Sequence, residues 1–362
     1  MGLNKRLIDQ AGASGGLGEP TDNFDIALYT GNSSVQSITS LDFAPDLVFI
    51  KCRTDAFDGV MFDTVRGTTK ALWTTQTYAE QNDADTITSF DSNGFTTDDD
   101  NKTNRSPENF VAWCFKGGGA ASTYNIDGTG YATLGAAGLS ITGNGGNSPT
   151  FTGCSINTAS GFGIYEIDPN HTASNHRTDF THGLNSTPEL VITKILDLAS
   201  NMHTFTNIID GSTDRGEFNS RAAFVDDTLN GVSIATSTEI RIEDAFTGSA
   251  NRFLFYAFHS VDGYQKVGSY TGTGYTQNDI SLSFAPRFVM VKNTSSSASW
   301  NMFDLSRDVA NGNGRYLQAN SNAVESNIGQ GMIFLSNGFR WKDQPDNEFN
   351  GSGQTYIYLA IA

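Results

Sequence analysis

The chain has 362 residues, with 22 Lys and Arg against 39 Asp and Glu, a formal net charge of −17 and a pI near 4.5. That balance repels a phosphate backbone, and no Lys/Arg-rich stripe offsets it, so a nucleic-acid partner is not expected. There is no apolar run long enough to span a bilayer and no apolar signal core at the N-terminus, so no membrane insertion is expected; an odd count of three cysteines gives no disulfide framework.

Thirty-eight glycines, with abundant Thr, Ser, Asn and Phe, favour strands and turns over helices. Residues 1–21 read as a Gly-rich docking leader that needs a partner to order it. The first folded unit, 22–117, opens with ALYTGNSSVQSITS (Ala27–Ser40) and continues through LDFAPDLVFIK (Leu41–Lys51). Pro45 precedes the apolar run, where its missing N–H costs least. The run itself is too short for a stable helix and too apolar for a half-exposed strand, which predicts a central strand buried on both faces. MFDTVRG (Met61–Gly67) and ITSFDSNGFTT (Ile87–Thr97) follow, and Asn93-Gly94 between strand-like runs predicts a tight hairpin. NFVAWCFK (Asn109–Lys116) closes the unit, with Cys52 and Cys114 as small core residues.

Residues 118–160 are rich in Gly and small side chains and read as a linker bearing a β-arm. A second unit, 161–263, carries LNSTPELVITK (Leu184–Lys194), HTFTNIIDG (His203–Gly211) and RFLFYAFH (Arg252–His259). A third, 264–362, carries GSYTGTGYTQNDIS (Gly268–Ser281), LSFAPRFVMVK (Leu282–Lys292), MFDLSRD (Met302–Asp308), MIFLSNGFRW (Met332–Trp341) and TYIYLAIA (Thr355–Ala362). From the landmark Lys to the alanine of each closing strand the separations are 61, 63 and 68 residues. Two landmarks that keep their separation three times define an internal repeat. The fold class expected is all-β: three tandem antiparallel β-sandwich domains, jelly-roll or lectin-like, with the N-terminal leader and the inter-domain arm between them.

The chain lacks a P-loop, a nucleophile elbow, HExxH and CxxC, so no enzyme activity and no cofactor are expected. His171, His176 and His182 fall close together in a polar stretch, a spacing that fits coincidence better than a zinc site. Asp98 and Asp100 are weak candidates for Ca²⁺, against which Lys102 stands where an oxygen ligand is wanted. Glu166 and Asp168 alternate on one strand face, which is not the facing geometry of a glycosidase pair. Asp63 with Arg66, and Asp304 with Arg307, recur in a duplicated motif and read as structural ion pairs. Among aromatics, Tyr29, Tyr270 and Tyr275 flank Gly-rich turns, and Trp300 and Trp341 lie near strand ends. These five are the candidates for stacking on sugar at a sandwich rim.

The set MGLNKRLI, YTGN, FAPDLVFIK, FDTVRG, SFDSNGF and VAWCFKGGG resembles repeat-bearing structural proteins of tailed bacteriophages of marine bacteria, cyanophages included. The second unit departs most, with TEIRIED where the others have SNGF. The resemblance implies a virion-surface protein, tail fibre or tail-associated, that contacts other virion proteins and host-surface polysaccharide and assembles as a homo-oligomer such as a trimer. A capsid decoration or head-fibre protein and a soluble lectin-like module are the alternatives, with a depolymerase behind them.

Overall fold

A computed structural model describes residues 20–362 apart from 145, 147, 171–176, 228–230, 234–235, 244–250 and 344; nearly all of the leader lies outside them. Among the described residues the α-helical content is a single turn, Asn101–Asn104, and the rest of the regular structure is almost wholly strand.

Copy one is a sandwich of two antiparallel sheets. The large sheet runs in the order Phe24–Thr30, Asn109–Phe115, Leu47–Cys52, Val60–Asp63, Lys70–Trp73, Gln81–Asn82; the small one runs Gln36–Ile38, Gly94–Thr97, Ile87–Asp91. Copy three repeats the topology, from Gln265–Thr271 and Thr355–Ile361 through Phe288–Asn293 to Ser326–Asn327, with its own small sheet. Between the sheets of copy one lies a core that includes Val48, Ile50, Cys52, Phe62, Phe95 and Cys114.

The landmark strands are buried at every position, as their composition predicts. Alternation explains why both faces are dry. Val48 and Ile50 point into the sandwich, whereas Leu47 and Phe49 belong to a second cluster that also holds Ile192 and Met290 from the other copies. The outer faces of the three large sheets are therefore apolar too, and the copies cover them by packing on one another about a common axis. Three equivalent backbone bonds close the ring. Glu80 N donates to Leu196 O at 2.7 Å, Phe224 N to Thr294 O at 2.9 Å, and Glu325 N to Arg53 O at 2.9 Å. The domains are tandem in sequence but pseudo-threefold in space. A cavity of about 30 Å³, lined by Phe49, Trp113, Ile192, Tyr256 and Met290 among others, remains near the axis.

Residues 118–160 build onto copy two. Thr150–Asn157, Tyr124–Ile126 and Thr129–Tyr131 extend its large sheet to nine strands, and Ile141–Gly143 adds an edge to its small sheet. The arm also meets copy one, where Asn157 Nδ2 donates to Asn23 Oδ1 at 2.9 Å.

Strand register refines the repeat. Val48 pairs with Cys114, Val191 with Ala257 and Val289 with Ala360, so Cys114, not Ala112, is the counterpart of the two alanines. With that correction the separations from the landmark Lys become 63, 63 and 68.

The Asn-Gly hairpins form where expected, and close packing is what demands glycine in them. Gly94 (φ +155°) and Gly338 (φ +148°) press against the neighbouring strand, where a Cβ would lie 1.7 Å from Ile38 O and 2.0 Å from Ile280 O. Only glycine allows that approach.

Candidate functional site

The recurring polar residues gather at the boundaries between copies. In copy one the Asp63 carboxylate accepts from Arg66 Nε at 2.7 Å and from the Arg66 and Val65 backbone N–H groups. Across the boundary, the Tyr256 hydroxyl of copy two donates at 2.8 Å to Asp63 Oδ2, the oxygen that Arg66 Nε also meets. Arg66 also reaches Glu80 at 3.4 Å, and Glu80 meets Arg252 of copy two at 3.5 Å. Burial alone would lower the Arg66 pKa; Asp63, Tyr256 and Glu80 outweigh it and hold the guanidinium charged. Burial, then the Asp63 charge, push the Tyr256 hydroxyl well up.

The boundary from copy three to copy one repeats the arrangement. Arg307 Nε donates to Asp304 at 2.6 Å, Trp113 Nε1 of copy one donates to Asp304 at 3.1 Å, and the Arg307 guanidinium lies 5.2 Å from the Trp113 ring centroid. Glu325 takes the place of Glu80 and binds Arg53 of copy one at 2.8 Å.

The third boundary replaces the whole set. Register puts Thr206 where the others have Asp63 and Asp304, and Leu359 where they have Tyr256 and Trp113. Three residues after Thr206 comes Ile209 in place of arginine, and Phe224 stands in place of the glutamate. Acid, arginine, glutamate and ring donor are present together or absent together, which is what the cost of an orphaned buried charge dictates.

A lysine threads each boundary as well. Lys51 Nζ donates to Ser321 O at 2.6 Å, Lys194 Nζ to Thr77 O at 3.3 Å, and Lys292 Nζ to Arg221 O at 3.1 Å, each reaching the preceding copy in the ring. Burial pushes all three pKa values down to about 8.

Four of the five sugar-stacking candidates are spent in packing. Trp300 is 1% exposed, donates to Glu217 O at 2.9 Å and packs on Phe218 and Phe224 of copy two. Trp341 is fully buried against Phe349. Tyr29 and Tyr270 are equivalent core residues: they stack on Phe110 and Tyr356, and their hydroxyls donate to Thr103 O and Phe349 O. Placing them at a rim is corrected by this burial: Tyr29, Tyr270 and Trp341 pack within their own copies, and Trp300 packs at the boundary with copy two. Tyr275 alone stands free, 77% exposed.

Of the Ca²⁺ candidates, the Asp100 side chain is committed. Asp100 caps the Asn101–Asn104 turn through Lys102 N and pairs with Lys102 Nζ at 2.9 Å. The backbone of Asp98 is engaged with Thr86 and with Asn104. His171 and His176 lie outside the described residues, whereas His182 is buried with Nδ1 accepting from Leu184 N. Among the described residues no three His, Cys, Asp or Glu side chains gather as a metal-holding group. Glu166 is held by Arg252 at 3.0 Å.

Sequence reading missed the buried Asn104 and Asn350. Each locks the turn after its entry strand, accepting from the backbone N–H of Asn32 or Thr273 and donating to two or more oxygens of that turn. Their signal was a matching place ahead of the closing strands that begin at Asn109 and Thr355, so each asparagine clamps the YTG turn.

A family model described as Domain of unknown function (DUF7483) matches residues 19–153 and again 137–362. The chain belongs to that family, and the double match accords with the internal repeat. No curated protein matches it.

Proposed function

We propose that the chain is a non-enzymatic structural and attachment protein of a tailed-phage particle, a tail-fibre or tail-associated hub that presents loops to host-surface polysaccharide. The observation that carries this reading is how its polar residues are used. Those shared between copies are consumed in holding the ring together, while the exposed aromatic Tyr275 lies on a loop outside the repeat core. A rigid ring with unlike loops suits display, and one open ring face beside a Gly-rich turn suits stacking on a sugar. The ring also supplies within one chain the threefold geometry otherwise sought from a homotrimer.

Gold-labelled antibody against the chain, applied to intact particles and viewed by electron microscopy, tests the reading. Gold on the tail supports it. Gold over the head replaces it with a decoration or head-fibre role, and no gold on intact or opened particles replaces it with a soluble lectin. Tyr275→Ala is expected to weaken binding to host polysaccharide without changing Tm.

A further inference from the structure

One hairpin of copy two departs from its counterparts at a single cross-strand position. In copy one Lys70 pairs with Asn82, and in copy three Arg315 pairs with Asn327. Copy two holds Asp214 opposite Asp226 at that position. A side-chain cation has become two facing carboxylates. The glutamate that meets the cation in the sister copies, Glu80 or Glu325, is Phe224 here.

Asp214 is 5% exposed, its Oδ2 receives no N–H donor among the described residues, and its carboxyl lies within hydrogen-bond reach of that of Asp226. Native structures rarely leave a buried carboxylate oxygen without a donor. Burial, then the charges of Asp210 and Asp226, push the Asp214 carboxyl up to about 6. Asp227 follows directly, with one oxygen accepting from Gly231 N at 3.1 Å and the other buried without a partner among the described residues. Arg215 is the next residue along the strand and by alternation points to the other face.

We propose that this hairpin end binds a divalent cation of the calcium type, which takes the place of Lys70 and Arg315. Asp214 and Asp226 supply its carboxylates, and Asp210 and Asp227 deepen the negative field. Backbone oxygens and water complete the shell. Calcium accepts such mixed oxygen shells, and two direct carboxylates place the affinity in roughly the 0.1–1 mM range.

The test combines equilibrium dialysis of the full chain against calcium chloride with thermal unfolding in about 1 mM calcium and in EDTA. One bound calcium per chain and a Tm higher by about 1–3 °C with calcium are expected. Asp214→Asn and Asp226→Asn should each lose both effects. Asp214→Lys, which restores the sister pattern, should lose calcium binding and unfold in EDTA at or above the Tm of calcium-loaded wild type. Absence of bound calcium in the wild type, or undiminished binding in Asp226→Asn, whose side chain is exposed and not needed for folding, overturns the proposal.

Discussion

The Tyr256 hydroxyl donates to the Asp63 carboxylate across a boundary between two copies of one repeat, 193 residues apart in sequence and 2.8 Å apart in space. Asp63 is fully buried and Tyr256 nearly so. The bond therefore joins the charge network of copy one to the closing strand of copy two.

Removing one member of that network should cost more than removing the whole. Arg66→Ile leaves Asp63 as a buried anion without its cation and is expected to lower stability by about 3–5 kcal/mol. Tyr256→Phe removes one donor and should cost about 1–2 kcal/mol. The fourfold change Asp63→Thr, Arg66→Ile, Glu80→Phe, Tyr256→Leu installs the apolar set of the third boundary and should recover most of the Arg66→Ile loss. Urea denaturation of the three variants measures this.

The buried lysines set an alkaline trend. Their folded pKa values are about 8 against an ordinary 10.5, so between those values the unfolded chain binds more protons than the folded one. The penalty is fully present below pH 8 and is relieved as pH rises toward 10. The buried thiols of Cys114 and Cys154 from about pH 9, and the buried tyrosines above 10, all raised by burial, act in the opposite sense. Tm is expected to climb from about pH 8 to about pH 9.5, and Lys51→Met should flatten the climb.

Acid should weaken the fold through histidine. Burial lowers His182 and His203 to about 4 from an ordinary 6.5, so stability present above 6.5 is lost as pH falls toward 4. Asp214, raised to about 6, offsets part of the loss over the same interval. A net loss of about 2 kcal/mol between pH 7 and pH 5 is expected from urea midpoints, reduced in His182→Asn.

Glycines of the same type should differ sharply in tolerance. Gly94→Ala drives a Cβ to 1.7 Å from a backbone oxygen and should prevent copy one from closing its small sheet. At Gly128 (φ +80°) nothing lies within 4 Å, so Gly128→Ala should cost only backbone strain, about 1 kcal/mol. Thermal unfolding of both variants separates contact from conformation.

Much of this architecture was legible in the sequence. The strands, the hairpins and the three copies follow from apolar runs, Asn-Gly turns and recurring landmarks, all of them local patterns. The paired Asp63–Arg66 and Asp304–Arg307 were readable as structural because they recur three residues apart. Closure of the ring was not readable, because the Phe49 side of a strand looks the same whether it meets a helix, a partner or a sister copy. Trp300 was misplaced at a rim for that reason, since Phe218 and Phe224 of copy two bury it, whereas Trp341 is buried within its own copy by Phe303, Phe339 and Phe349. The exchange of the acid–arginine set for Thr206 and Ile209 at one boundary was hidden for the same cause: it becomes visible only when register aligns Thr206 with Asp63.

Fusing three sandwiches into one polypeptide frees the ring from mass action. A trimer of separate chains loosens as it is diluted, because its stability depends on protomer concentration. Here the neighbours are tethered, so a lone molecule keeps all three boundaries, and each boundary can diverge on its own, as the carboxylate pair of copy two has.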